Sequence, residues 1–110
     1  MVKQYDLYWV VLDPTLGSEI NKIRPCIVIS PNESNEFLNT VLIAPITSKI
    51  RKFPMRLDIF LENKNGQICL DQIRCIDKIR LKNKINSLSN PEFSGMEEKV
   101  KNLIKQYLVD

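Results

Sequence analysis

The chain has 110 residues, of which 44% are hydrophobic and 26% are charged, and its net charge is +3. This length allows one domain with a hydrophobic core of its own, and the composition excludes a disordered chain. The net charge is too small to indicate a nucleic-acid partner by itself, but the segment 49–84 holds ten basic residues against four acidic ones.

The first third of the chain predicts two strands joined by a polar loop. Residues 5–12 are rich in aromatic and β-branched types, which favours a strand. Turn-forming residues fill the segment 13–23, and a second, apolar strand is predicted at 25–30. Arg24 directly precedes Pro25, which pushes the backbone of Arg24 towards extended geometry. We therefore expect its guanidinium at the mouth of a buried strand.

The middle of the chain predicts a buried strand followed by a basic loop. Residues 31–39 are polar and are predicted to form a loop with at most one helical turn. The apolar run 40–46 predicts a third strand that is buried on both faces, and Pro45 within it favours a sheet edge or a bulge. The loop at 47–54 that follows carries three cations, Lys49, Arg51 and Lys52.

The remaining segments predict a hairpin, a further strand and a helix. Alternating apolar residues at 55–61 indicate a half-buried fourth strand, and the Asn-Gly sequence within 63–66 is typical of a hairpin turn. A fifth strand is predicted at 67–73, and another short strand within 78–87. From Met96 onwards apolar residues recur at helical spacing, which predicts a terminal amphipathic helix.

These elements predict an α+β domain that is mostly β. Five or more short strands followed by one amphipathic helix suit a small, partly closed antiparallel barrel, because closure hides strand edges. We find no repeat, linker or change of composition that divides the chain, so residues 1–110 are predicted to form a single domain.

The chain contains no histidine, which excludes His-ligated zinc, Ser-His-Asp triads and two-histidine ribonuclease chemistry. Its cysteines, Cys26, Cys69 and Cys75, are odd in number, lack CxxC spacing and lie in apolar, strand-like surroundings. We therefore expect buried, reduced thiols in a cytoplasmic protein, and neither a metal nor a cofactor. No apolar run approaches the roughly 20 residues of a membrane span, so no membrane association is expected.

Three polar clusters could carry chemistry: Glu19 with Arg24, Thr47 with Ser48, and the segment Asp71 to Arg74. Each cluster has a purely structural interpretation when taken alone. Arg24 could form an ion pair with Glu19, and Thr47 could be a turn hydroxyl. Asp71, placed in the predicted fifth strand, could be a buried acid whose hydrogen bonds are satisfied.

Taken in order, these clusters and their flanking residues resemble the MazF/PemK family of endoribonuclease toxins from bacterial type II toxin–antitoxin systems. The resemblance covers nearly the whole chain, and it is specific because four blocks follow one another at compatible spacing. The blocks are 8–15 with 17–19, 22–25 with the apolar strand and Ser30-Pro31, 44–48, and 71–77 with Arg80-Leu81.

The resemblance implies an SH3-like barrel, a homodimer, a cognate antitoxin partner and metal-independent, sequence-specific cleavage of single-stranded RNA that arrests translation. Arg24 matches the catalytic arginine of the family and Thr47 its catalytic threonine. Glu19 matches a position in a loop beside the site, and Asp71 matches an acid that some members use in substrate binding or catalysis. At two positions this chain departs from certain members, because Ser18 and Cys69 stand where those members place His and Arg.

The chemistry of RNA cleavage is consistent with these assignments. Arg24 can contact two phosphate oxygens at once, and Thr47 can donate a hydrogen bond to a nonbridging oxygen. Glu19 and Asp71 are both acceptable bases for the 2′-OH, and the sequence does not choose between them. Ser48 is a further site candidate. The predicted RNA-binding cations are Lys22, Lys49, Arg51, Lys52 and Arg74.

Bases could stack on Trp9, Phe53 or Phe60 if these rings are exposed, although we expect Trp9 in the core. Two alternative functions compete with RNA cleavage. One is a CcdB-like, non-enzymatic poison of DNA gyrase with the same fold, but such proteins act through a C-terminal Trp-Gly-Ile type motif that this chain lacks. The other is a binding module without catalysis, in which Arg24 and Thr47 would be structural.

Overall fold

The computed structural model describes residues 1–12 and 23–108. The predicted loop at 13–22, with Glu19 and Lys22, lies outside the described residues, as do residues 109 and 110.

Seven strands and two α-helices are present in the described part of the chain. The strands are β1 (Asp6–Val11), β2 (Ile23–Val28), β3 (Thr40–Thr47), β4 (Arg56–Leu61), β5 (Lys64–Cys69), β6 (Arg74–Asp77) and β7 (Leu81–Ser87). The helices are α1 (Asn32–Phe37) and α2 (Met96–Leu108), and single 3-10 turns lie at Leu70–Gln72, Lys78–Arg80 and Pro91–Phe93.

The strands form one curled antiparallel sheet in the order β4-β5-β3-β2-β1-β7. Strand β3 is central. One of its edges pairs with β2, and its other edge pairs with β6 through residues 40–43 and with β5 through residues 46 and 47. This mostly-β, partly closed barrel with a C-terminal helix confirms the predicted fold class.

Apolar residues are buried on both faces of this sheet. Ala44 and Ile46 of β3 belong to the larger cluster, whereas Val41 and Ile43 belong to the smaller one, because successive side chains of a strand point to opposite faces. The third strand is therefore buried on both sides, as predicted. Helix α2 covers the larger cluster, into which it inserts the fully buried Val100.

The predicted hairpin exists, but its turn lies earlier than expected. Leu61 pairs with Lys64, so the two loop residues are Glu62 and Asn63, and both have positive φ (52° and 60°). Positive φ at both central residues is the geometry of a type I′ turn. Asn65-Gly66 lies inside β5 instead, where Gly66 is buried against β3.

The predicted fifth strand is broken at the position of Asp71. After Cys69 the chain leaves β3, makes the 3-10 turn at Leu70–Gln72, and returns to the same edge of β3 as β6. Asp71 is thus an exposed residue at a kink, and the prediction of a strand position was wrong.

Two smaller expectations were also wrong. Of the two positions predicted for Pro45, the sheet edge is wrong, because Pro45 lies in the central strand opposite Cys26; on the other side of β3 the pairing is interrupted at Pro45, between the stretches that pair with β6 and β5. A residue without an N–H fits there, because no described strand pairs with that part of the β5/β6 edge. Cys75 is exposed, whereas Cys26 and Cys69 are buried free thiols. On the short strand β6, Cys75 faces outwards and its neighbour Ile76 packs inwards.

Candidate active site

Arg24 and Thr47 come from neighbouring strands and lie side by side. In the ladder between β2 and β3, Val28 is opposite Ile43 and Cys26 is opposite Pro45. Continued by two residues, the same register places Arg24 opposite Thr47. Both side chains are half-buried at the end of the sheet. The guanidinium and the hydroxyl are therefore positioned by the rigid strands rather than by a loop.

Arg24 and Thr47 line two cavities. The larger has a volume of about 440 Å³, and among its walls are Trp9, Pro25 and Ile46. The smaller has a volume of about 210 Å³ and is walled by Pro45, Cys69, Gln72 and three further cations. Both residues belong to the walls of both cavities, so Arg24 and Thr47 stand at the boundary between them.

The hydroxyl of Thr47 is oriented by the turn that follows it. Its Oγ1 accepts a hydrogen bond of 3.1 Å from the backbone N–H of Lys49. Thr47 is therefore a turn hydroxyl, and this contact does not exclude a second role. Because Oγ1 acts as the acceptor in this contact, its own proton is available to a second oxygen in the cavity.

Four basic side chains, Arg24, Lys49, Arg51 and Arg56, line the smaller cavity. Arg56 is paired with Asp71, through Nε–Oδ1 and Nη2–Oδ2 contacts of 2.8 and 3.2 Å. The other three form no ion pair with any residue in the described ranges. A phosphate entering this cavity would supply the missing negative charge.

Asp71 is held by Arg56 rather than aimed into the cavity. The hydrogen bonds from the Arg56 guanidinium lower the pKa of the Asp71 carboxyl below its ordinary value. The Arg56 side chain is only 7% exposed, so this pair is fixed on one side by packing. Arg56 also lies 5.0 Å below the ring centre of Phe53, a cation–π contact.

Cys69 lies at the floor of the smaller cavity and is not suited to act as a nucleophile. Burial raises the pKa of its thiol, although the positive charges of Arg56 and Arg24 partly offset this effect. A raised pKa disfavours the thiolate, which is the nucleophilic form.

The other predicted residues are distributed as follows. Ser48 lines the larger cavity, while Lys49 and Arg51 line the smaller one. Lys52 is exposed on the same loop but lines neither cavity. Arg74 lies on β6 opposite Ile43 and is also absent from both cavity walls. Glu19 and Lys22 lie outside the described residues.

The aromatic predictions had mixed outcomes. Trp9 is half-buried and lines the larger cavity, so the expectation of a core residue was wrong. Phe53 and Phe60 are exposed by 51% and 60% of their surface.

Sequence reasoning missed three groups that shape the site. Arg56 was treated as an ordinary outward-facing strand residue. The β4–β5 hairpin, through Glu62 and Lys64 to Gly66, forms a wall of the larger cavity. Gln67 is a polar residue buried to 95% directly before the apolar run 68–70, and that placement was the one signal in the sequence that could have identified it.

Comparison with known proteins identifies the family of the chain. The model of the family described as "PemK-like, MazF-like toxin of type II toxin-antitoxin system" matches residues 3–104. The chain is 33% identical over 106 residues to the endoribonuclease MazF of Staphylococcus saprophyticus, covering 91% of this chain and 88% of that protein. The chain belongs to the PemK/MazF toxin family.

Solved structures of PemK/MazF toxins share the fold. MazF from Deinococcus radiodurans superposes with a TM-score of 0.72 at 21% identity, covering 97% of this chain and 96% of that one. An endoribonuclease from a mycobacterial species, solved in complex with its cognate antitoxin, superposes with a TM-score of 0.75 at 17% identity, covering 98% and 95%. At these identities the likeness establishes the fold of this PemK/MazF chain.

Two further searches concern the described residues alone. Residues 1–12 and 23–108 contain no group of three or more acidic or cysteine side chains placed to hold a metal ion. Within the same ranges, no helix has the length and apolarity needed to cross a membrane.

Proposed function

We propose that this chain is the toxin of a type II toxin–antitoxin system and cleaves single-stranded RNA at Arg24 and Thr47, without a metal ion. One observation carries the proposal: a guanidinium and a hydroxyl from paired strands stand together in the walls of two cavities, beside Lys49 and Arg51, which form no ion pair with any residue in the described ranges. Membership of the PemK/MazF family supports the same activity.

The scissile phosphate would lie on Arg24 and Thr47. The 2′-oxygen of the preceding ribose loses its proton and attacks phosphorus, the bond from phosphorus to the 5′-oxygen of the next nucleotide breaks, and the departing oxygen takes up a proton from solvent. This yields a 2′,3′-cyclic phosphate and a 5′-hydroxyl end. The guanidinium stabilises charge that develops on the nonbridging oxygens, and the Thr47 hydroxyl donates to one of them.

The base that removes the 2′-OH proton is a choice between Glu19 and Asp71. Asp71 is engaged by two hydrogen bonds from Arg56, and its lowered pKa makes it the weaker base. We therefore assign proton removal to Glu19, and we assign to Asp71 the role of holding Arg56.

The two cavities suit the two sides of the scissile bond. Phosphates would follow the cations of the smaller cavity, with Lys49 and Arg51 in its wall. A base would enter the larger cavity beside Trp9. Phe53 offers a second stacking surface, since one face of its ring rests on Arg56 and half of its surface is exposed.

In the cell this toxin would be a cytoplasmic homodimer controlled by a cognate antitoxin. An antitoxin segment that carries acidic residues could occupy the same cations as RNA and so block the site. The comparisons favour this function over a CcdB-like gyrase poison, because the matching family model describes PemK-like and MazF-like toxins and the curated relative reported above is a MazF endoribonuclease.

The test is to incubate the purified protein with a mixed-sequence RNA in EDTA and to map the fragment ends. Cleavage that survives chelation and leaves 5′-hydroxyl ends at a recurring sequence is expected. Strict dependence on added Mg²⁺, or 5′-phosphate ends, would contradict the proposal.

A further inference from the structure

The loop between β3 and β4 contributes Lys49 and Arg51 to the smaller cavity. One buried side chain of the sheet forms hydrogen bonds with the backbone of this loop. Gln67 on β5 is 5% exposed. Its Oε1 accepts a hydrogen bond of 2.9 Å from the backbone N–H of Arg51, and its Nε2 donates one of 2.9 Å to the backbone oxygen of the same residue. The amide thus holds both backbone groups of Arg51.

This contact extends the sheet beyond its last paired residues. The ladder between β3 and β5 ends at the pair Thr47 and Gln67. Beyond that pair the Gln67 side chain takes the place of a strand, because it offers one acceptor and one donor to Arg51 as an antiparallel neighbour does. Thr47 and the loop are therefore fixed to the same residue, one through the backbone and the other through the side chain.

A third contact fixes the orientation of the amide. Nε2 also donates a hydrogen bond of 3.0 Å to Oδ1 of Asp58 on β4. Both N–H groups of Gln67 are used, and the carboxylate of Asp58 can only accept, so the amide cannot be reversed without loss. The described residues contain no buried side-chain N or O without a hydrogen-bond partner.

The rest of the loop is held close to this point. The backbone N–H of Arg56 donates to the carbonyl of Phe53 at 3.2 Å, and the N–H of Leu70 donates to the carbonyl of Met55 at 3.1 Å. Together with the Gln67 contacts, these bonds fix the loop on both sides of Phe53. A loop that is ordered before binding loses less entropy when RNA arrives.

From these contacts we infer that Gln67 is a positioning residue for RNA recognition, which holds Arg51 and its loop in register with Thr47. It touches no substrate itself. The inference rests on the proposed RNA cleavage for its kinetic consequence, and removal of Gln67 should weaken RNA binding and relax the choice of cleavage sequence while sparing the chemical step.

Gln67→Met tests this inference, because methionine has a similar length and tolerates burial but cannot hold the Arg51 backbone. We expect KM for a labelled RNA containing the mapped cleavage site to rise about tenfold, the size of one or two net hydrogen bonds. We expect kcat to stay within about twofold, because a contact that stabilises the bound substrate and the transition state equally affects KM alone. Gln67→Glu should act in the same direction, because it retains the acceptor but loses both donors.

A second readout does not depend on RNA. Trypsin cuts after Lys49, Arg51 and Lys52, so native-state digestion followed by mass spectrometry reports the opening of the loop. Gln67→Met should accelerate cutting in this loop by about tenfold relative to cutting elsewhere in the chain. Val100→Ala is the control, because it destabilises the core under α2 and leaves the loop contacts in place.

Failure of this inference and failure of the proposed function give different results. An unchanged KM, or a kcat that falls with KM unaltered, overturns the inference, and so does a tryptic pattern like that of Val100→Ala. If the wild-type protein cleaves no RNA, the proposed function fails instead, and the tryptic comparison still decides whether Gln67 holds the loop.

Discussion

At the scale of single residues, the pairing of Asp71 with Arg56 changes the interpretation of the site. From the sequence alone, Asp71 is as good a base as Glu19. In the folded chain its two carboxylate oxygens both accept hydrogen bonds from the Arg56 guanidinium. The sequence could not reveal this contact, because it depends on β4 and the 3-10 turn at Leu70–Gln72 lying next to each other.

Asp71→Asn should therefore show a pH-dependent loss of stability. The Arg56 contact lowers the pKa of Asp71 in the folded chain, so its stabilisation is complete above the ordinary value near 4 and disappears as pH falls through the lower, folded value. The difference in thermal midpoint between wild type and Asp71→Asn should be largest near neutral pH and should close in acid. A difference that is the same at all pH values would show that the ion pair contributes nothing.

Thr47→Val tests the hydroxyl separately from the shape of the side chain. Valine keeps the β-branched outline and loses the donor to phosphate, so single-turnover cleavage should fall by about 10²-fold, the typical effect of removing one such donor. Thr47→Ser should retain most of the activity, because the hydroxyl remains. Equal activity of the Val and Ser variants would exclude a catalytic hydrogen bond from Thr47.

At the scale of elements, the sequence predicted the strands better than their ends. Apolar runs identified the main strands. A strand buried on one face shows alternating apolar residues, and a strand buried on both faces shows a continuous apolar run. The hairpin turn was misplaced because Asn65-Gly66 looks like a turn, whereas Glu62 and Asn63 make it. The family resemblance assigned Arg24 and Thr47 to the site without saying how they meet, and the register of β2 against β3 places them opposite each other.

Gly66 was predicted as a turn residue, but in the structure it is a packing position against β3. A Cβ added to Gly66 would lie 3.0 Å from the carbonyl oxygen of Thr47 and 3.3 Å from Cγ2 of Ile46. Gly66→Ala should therefore displace the end of β3, cost about 1–3 kcal/mol of stability and reduce cleavage further, because small displacements of a catalytic group are expensive.

Gly95→Ala is the matched control for Gly66→Ala. Gly95 has a φ of +87° and open space around its Cβ position, so alanine there strains the backbone before α2 without touching the site. The two variants should have similar losses in thermal midpoint, but Gly95→Ala should keep wild-type activity. Full activity in a destabilised Gly66→Ala would mean that β5 does not position Thr47.

At the scale of the whole molecule, the fold class and the family predicted from the sequence are confirmed, whereas the homodimer implied by the family resemblance stays a prediction. The described chain presents large exposed apolar side chains, including Phe37 and Ile79, exposed by 80% and 79%. A contiguous patch of such side chains marks an association surface, whereas single exposed ones are common on monomers.

We expect the protein to be a dimer at micromolar concentration, and sedimentation equilibrium measures this directly. A synthetic acidic peptide should compete with RNA for the cations of the smaller cavity, and the competition should weaken as salt is raised. A monomer across the micromolar range would contradict the homodimer.

The most direct test of the central claim is single-turnover RNA cleavage by Arg24→Ala and Arg24→Lys, measured with the thermal midpoint on the same preparations. Arg24→Ala should lose about 10²–10³-fold in rate with a small change in midpoint, because the side chain lies half-exposed at the end of β2. Arg24→Lys should recover little, since an ammonium cannot contact two phosphate oxygens as a planar guanidinium does. A destabilised Arg24→Ala whose folded fraction cleaves RNA at the wild-type rate would contradict the account.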